Sequence, residues 1–222
     1  MFEPVLLSLQ LATSATIILL IVSIPLAWWL ANGSSIFRSV VWATTALPLV
    51  LPPTVLGFYL LLAFSPASGL GKLIVDWFGV QLAFSFAGLL IASVIYSLPF
   101  VVQPLQIGFE RLDGRTIEAA LSLRANWWVI ITRVIFPQLK GAFLVAFTLG
   151  FAHTLGEFGV VLMIGGNIPG ETQVISIAIY ESVEMLDYAK AHLYSVGLLV
   201  FSFIVLFLTY ARNSFSLKRK GE

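Results

Sequence analysis

Cysteine is absent from this chain, and charge is scarce. Without cysteine there is no disulfide framework and no thiolate metal or redox site. Only 10% of the 222 residues are Asp, Glu, Lys or Arg, against about 25% in an average soluble domain. So little charge cannot cover a water-facing surface. With 59% apolar residues and a mean hydropathy of +0.99, the chain reads as an all-α integral membrane protein. The phosphate-cradling pattern G-x-x-x-x-G-K-[ST] is also missing, since "GLGK" runs on into Leu73. Two histidines, no H-E-x-x-H and no Ser–His pairing by spacing leave no catalytic residue and no metal site to assign. An intramembrane enzyme is therefore disfavoured, no cofactor is expected on the chain, and nucleic acid is not an expected partner. The N-terminus lacks a positive n-region and a small-residue cleavage site, so its apolar run is expected to stay in the mature protein.

A helix needs roughly 20 apolar residues to cross the hydrocarbon core of a bilayer. No charge falls between Glu3 and Arg38, Arg38 and Lys72, or Asp76 and Glu110, and shorter gaps separate Lys140 from Glu157 and Lys190 from Arg212. These gaps predict five transmembrane helices, at 5–30, 40–64, 85–109, 141–164 and 193–211, within a single domain over 1–222. Residues 110–137 form the loop between the third and fourth. The run "KLIVDWFGVQLAF" is short and contains Asp76, so it is not a sixth.

With five spans, one side carries Arg38, Arg111, Arg115, Arg124, Arg133, Lys140, Arg212, Lys218, Arg219 and Lys220, and the other only Lys72 and Lys190. Lys and Arg concentrate on the cytoplasmic side, which puts the N-terminus outside and the C-terminus inside. Ordinary topology anchoring explains the terminal "KRK" better than a lipid-binding cluster.

The spans themselves hold few polar groups. Pro48, Pro52 and Pro53 interrupt the second, and Pro99 and Pro104 the third, where Gln103 and Gln106 lie close by. Each internal proline removes a backbone donor, and lipid tolerates such backbone only beside protein or a wet cavity. Pro52, Pro53, Gln103 and Gln106 thus mark a bending point or polar pathway, with a packing kink as the plainer alternative. In the fourth span His153, Thr154 and Glu157 are expected on or near one helix face. Glu157 falls about 24 Å from the inner edge at 1.5 Å per residue. An ionisable residue there is a functional candidate by default, and reaching the outer interface or capping a neighbouring helix is the alternative. No Lys or Arg lies mid-span, so an anionic cargo would not be gripped by a buried cation.

The loop reads "ERLDGRTIEAALSLRANWWVIITRVIFPQLKGAF". Asp113-Gly114 signals a turn, and Thr116 or Asp113 can cap a short helix through "IEAALSL". Asn126 is a plausible second N-cap, and Pro137 limits the helix that follows. The pattern predicts two short helices meeting in an elbow at residues 124–126. An amphipathic interfacial helix would account for it equally well.

Within it, "EAALSLRANWWVIITRVIFP" resembles the EAA loop of membrane subunits of bacterial ABC importers. In that family the loop forms the coupling helix that docks on a cytoplasmic ATPase. Glu118, Ala119, Ala120 and Pro137 match the pattern, and Arg124 stands where it has Gly. The resemblance implies docking through Glu118, Ala119, Ala120 and Arg124. Left-handed backbone at Arg124 would cost about 1–2 kcal/mol, which predicts a differently shaped elbow. "LPLVLPPTVLGFYLL", "VDWFGVQLAFSFAG", "TLGEFG" and "GGNIPGETQVISIAIY" resemble the molybdate-importing branch, while sulfate permeases share some of these features.

That resemblance implies the type I importer fold and a bacterial inner-membrane location. It also implies passage of molybdate, with tungstate or sulfate as alternatives, through a pathway built by two copies; Pro52, Pro53, Gln103, Gln106, Thr154 and Glu157 are the residues expected from the reading above to line or gate it. ATP and Mg would sit on the partner ATPase, and an extracytoplasmic molybdate-binding protein would deliver the cargo. A self-sufficient secondary anion transporter is the rival class. It usually shows internal repeats and buried groups for ion coupling, and no repeat is visible here.

Overall fold

The computed structural model describes residues 2–218, with side chains through residue 209 and at Ala211. The side chains of Arg212 and Lys218, and Arg219 and Lys220 altogether, lie outside what is described. Every element among the described residues is helical.

Helix α1 runs over Glu3–Ala31, about 43 Å at 1.5 Å per residue, enough to cross a bilayer with tilt to spare. The second span is broken. Helix α2, Ile36–Ala46, starts where the Ser35 side chain accepts from Arg38 N–H. It passes through a tight 3-10 turn, Leu47–Leu49, and resumes as α3, Pro53–Phe64, after a bend of 110°. Pro48, Pro52 and Pro53 crowd this stretch, and each lacks the N–H a continuous helix needs. Helix α4, Gly69–Phe78, is capped by Ser68 and stops at Gly79, where φ is 66°. Ten residues rise only about 15 Å, so α4 cannot span.

The third span, α5, Phe86–Glu110, is continuous despite Pro99 and Pro104. The loop then forms α6, Gly114–Ser122, and α7, Trp127–Ile130. Helix α7 does not end at Pro137. A widened π turn, Ile131–Ile135, leads straight into α8, Phe136–Gly156, so that Trp127–Gly156 is one 30-residue run. The carbonyl that Pro137 cannot pair in an α-helix belongs to Arg133, inside that turn, and a π turn absorbs such a mismatch.

The fourth span, expected over 141–164, is broken: α8 stops at Gly156, and α9, Gly159–Gly165, begins afresh. After a loop come α10, Ile175–Glu184, and α11, Tyr188–Lys218, the fifth span.

Helices α1, α5 and α8 pack around Leu19, Ala27, Val101, Val102, Leu105 and Ala146. Small residues let them approach: a Cβ on Gly150 would meet Val101 at 2.6 Å, and one on Gly108 would meet Ala142 at 2.6 Å. A second core joins α3, α5, α9 and α10 through Phe64, Leu89, Val160, Ile164 and Ile177. At this end the loops are tied down by backbone groups, Phe84 N–H donating to Ile164 O (2.8 Å) and Ile175 N–H to the Ser8 hydroxyl (2.7 Å). Arg38, Gln106 and Glu110 line one cleft at the other, basic end.

Candidate functional site

Two regions carry the polar chemistry: an exposed elbow at the basic end and a buried seam between α5 and the broken fourth span.

In the elbow, the Asp113 side chain accepts from Arg115 N–H (3.1 Å) and from the Thr116 hydroxyl (2.8 Å), starting α6. The Asn126 side chain accepts from Trp128 N–H (3.2 Å), starting α7. Both caps fall where the sequence suggests. Arg124 lies between them with φ 54°. Its N–H donates to Leu121 O (2.9 Å), and Ala125 N–H reaches back to Ala120 O (3.0 Å). This is the Schellman closure that usually takes glycine. The differently shaped elbow expected from Arg124 is therefore corrected, because the arginine adopts the left-handed backbone that the family pattern assigns to Gly. Glu118, Ala119 and Arg124 are exposed and Ala120 is half-buried. Leu123 and Trp128 are 83% and 73% exposed, which leaves an apolar surface next to the acidic Glu118.

In the seam, the Ser97 hydroxyl lies 2.8 Å from His153 Nδ1 and 3.0 Å from the Thr154 hydroxyl. His153 stacks on Phe100 (3.8 Å between ring centroids) and tilts against Tyr96 (4.9 Å). Thr154 is buried in this contact. Glu157 does not share a helix face with His153 as expected. It is the residue after α8, in extended backbone, yet it is only 4% exposed. Its backbone carbonyl accepts from the Ser176 hydroxyl (2.6 Å), while its carboxylate is buried beside the Ser93 hydroxyl.

The remaining predicted residues divide. Pro52 and Pro53 form the bend of the second span, and Pro53 packs on Gly159, where the fourth span restarts. The breaks of the two spans therefore meet. Gln106 lies apart from this junction. Its amide donates to Glu110 (2.9 Å) beside Arg38 in a basic-end cleft of about 590 Å³. Gln103 is half-buried one turn before Gln106 on α5. Sequence reasoning missed Ser93, Tyr96 and Ser97. The usable signal was the spacing of Ser93 and Ser97, four apart and hence on one face of α5.

Residues 23–214 match the family model described as "Binding-protein-dependent transport system inner membrane component". The chain belongs to this family.

Among its relatives, the "Molybdenum transport system permease protein ModB" of Azotobacter vinelandii is 50% identical over 210 residues, covering 94% of this chain and 92% of the relative. The "Probable sulfate transport system permease protein cysT" of Marchantia polymorpha is 35% identical, covering 92% of this chain and 73% of the relative. A solved bacterial ABC transporter "involved in the import of the acidic polysaccharide alginate" superposes with a TM-score of 0.64 at 18% identity, over 96% of this chain and 79% of that one. At that identity the likeness concerns the fold.

Proposed function

We propose that this inner-membrane component is the permease subunit of an ATP-driven molybdate importer. The 50% identity to a molybdenum permease over nearly the whole chain carries the reading. Two copies form the pathway, a cytoplasmic ATPase holding ATP and Mg drives it, and an extracytoplasmic binding protein supplies the oxyanion. The chain itself assigns no catalytic residue and no cofactor.

The mechanism is a population shift, in which ATP binding favours one of two arrangements of the spans. The ATPase engages Glu118, Ala119, Ala120 and Arg124. Because α7 and α8 are one run, Trp127–Gly156, a displacement of the elbow passes along a rigid element to the break at Glu157. There Pro52, Pro53, Thr154 and Glu157 bend or gate, while Gln103 and Gln106 offer neutral polar groups toward the basic end. No Lys or Arg occurs within 5–30, 40–64, 85–109, 141–164 or 193–211, so over those stretches the anion moves past neutral donors.

Sulfate is the second reading, supported by the relatives named for its transport. The test is oxyanion-dependent ATP hydrolysis by the reconstituted permease, ATPase and binding protein, comparing molybdate, tungstate and sulfate. Stimulation by molybdate, with sulfate ineffective, is the expected result. Stimulation by sulfate alone, or uptake without ATP, refutes it.

A further inference from the structure

Between α1 and the Trp127–Gly156 run lies an apolar groove of about 660 Å³. Pro25 and Trp28 form one wall, Trp127, Ile135 and Phe143 the other, and Phe109 closes the basic end. The α1 residues that line it, Ile24, Pro25 and Trp28, fall in the last eight residues of that helix, so the groove lies at the basic end of the spans. Its tryptophans sit at the basic end, where amphipathic rings settle at the headgroup level of a bilayer.

The rim of the groove is cationic. Arg133, Phe136, Lys140 and Phe143 follow one another at spacings of three, four and three, along one side of the helix. Phe136 and Phe143 line the groove, and Arg133 and Lys140 stand exposed beside them. Among the described residues neither cation has a side-chain hydrogen bond or ion pair. No acid occurs between Glu118 and Glu157, or between Glu3 and Asp76. A second copy pressed onto this face would bring no carboxylate from either wall to meet the two cations. An anionic lipid brings both an acyl chain and a phosphate, and basic recesses between spans on the cytoplasmic side suit such headgroups.

We propose that the groove holds an acyl chain of an anionic phospholipid whose phosphate lies on Arg133 and Lys140. The bound lipid braces the helix that carries the elbow, and so links the coupling loop to the composition of the inner leaflet. The inference rests on the proposed cytoplasmic position of the basic end.

The test is native mass spectrometry of the permease–ATPase complex, released from mild detergent with phosphatidylglycerol and phosphatidylcholine at equal concentration. The complex should retain several-fold more phosphatidylglycerol. Arg133→Gln with Lys140→Gln should remove that preference while adducts persist, and Ile135→Trp, which fills the groove, should reduce both lipids. Equal retention of the two lipids by the unaltered complex overturns the proposal. So does a preference that neither variant moves, or a disulfide between two copies carrying Trp28→Cys. Labelling of Ser122→Cys from the outside would instead refute the orientation and leave the lipid measurements readable.

Discussion

A Cβ placed on Gly159 would lie 2.8 Å from the Cβ of Pro53. The restart of the fourth span is thus seated on the bend of the second, with no room for even a methyl group. Gly159→Ala must push α3 away from α9, and overpacking of this kind costs about 1–3 kcal/mol. The variant should unfold at lower temperature in detergent and import poorly. Gly156→Ala is the control, because a Cβ there meets nothing within 4 Å. Equal thermal stability of the two variants would show that the breaks do not bear on each other.

Ser97 offers a single hydroxyl to both His153 and Thr154. Removing it leaves the buried Thr154 hydroxyl and the half-buried His153 ring without that partner, at about 1–3 kcal/mol for the buried group. Ser97→Ala should therefore destabilise the purified protein measurably in a thermal melt. Ser97→Ala combined with His153→Phe should recover part of the loss, since one orphaned group is replaced by an apolar ring beside Phe100. If the double variant melts no higher than Ser97→Ala, the hydrogen bond is not what the seam depends on.

Much of this fold was legible because charges punctuate the apolar runs. The gaps from Glu3 to Arg38 and from Asp76 to Glu110 contain α1 and α5, and among the described residues four helices are able to span, or five with the bent pair. Asp113 and Asn126 announced the elbow's two helices through ordinary capping chemistry. Pro137 marked where the second of them is disturbed, and the chain takes up the mismatch in a π turn, Ile131–Ile135, rather than ending the helix. Glu157 misled. Spacing placed it on a helix, whereas Gly156 and Gly159 flank a break that tertiary contact with Pro53 imposes. The seam's serines were silent, since a lone hydroxyl in an apolar run bonds its own helix as readily as a neighbour, as Thr16 does to Ala12 O.

Arg124 holds left-handed backbone without glycine's freedom. Arg124→Gly should raise the melting temperature modestly, by relief of about 1–2 kcal/mol of local strain. Arg124→Val, branched at Cβ, should distort the elbow and uncouple ATP hydrolysis from oxyanion. If the valine variant keeps full oxyanion-stimulated hydrolysis, elbow geometry does not govern coupling.

Glu118 is exposed on α6, one turn before the elbow. Glu118→Lys inverts the charge at the surface proposed to meet the ATPase without disturbing any buried group. Insertion and protein level should be normal, and ATP-driven uptake should be abolished. Normal uptake by this variant would take α6 out of the mechanism.

Glu157 presents the sharpest choice between structure and function. Burying a carboxylate is costly, and nothing in the packing of α8, α9 and α5 requires a carboxylate in preference to an amide of the same shape. Glu157→Gln keeps the volume and the Ser176 contact, which is made to the backbone carbonyl. A merely structural residue would then allow equal or better stability and an unchanged transport rate. A residue that the moving break uses would give normal protein levels with uptake reduced by an order of magnitude or so, a loss of about 1.4 kcal/mol in the transport barrier. We expect the second outcome, because the carboxyl sits where α8 must stop and α9 must start. Rate and protein level both matching the unaltered chain would assign Glu157 to the scaffold.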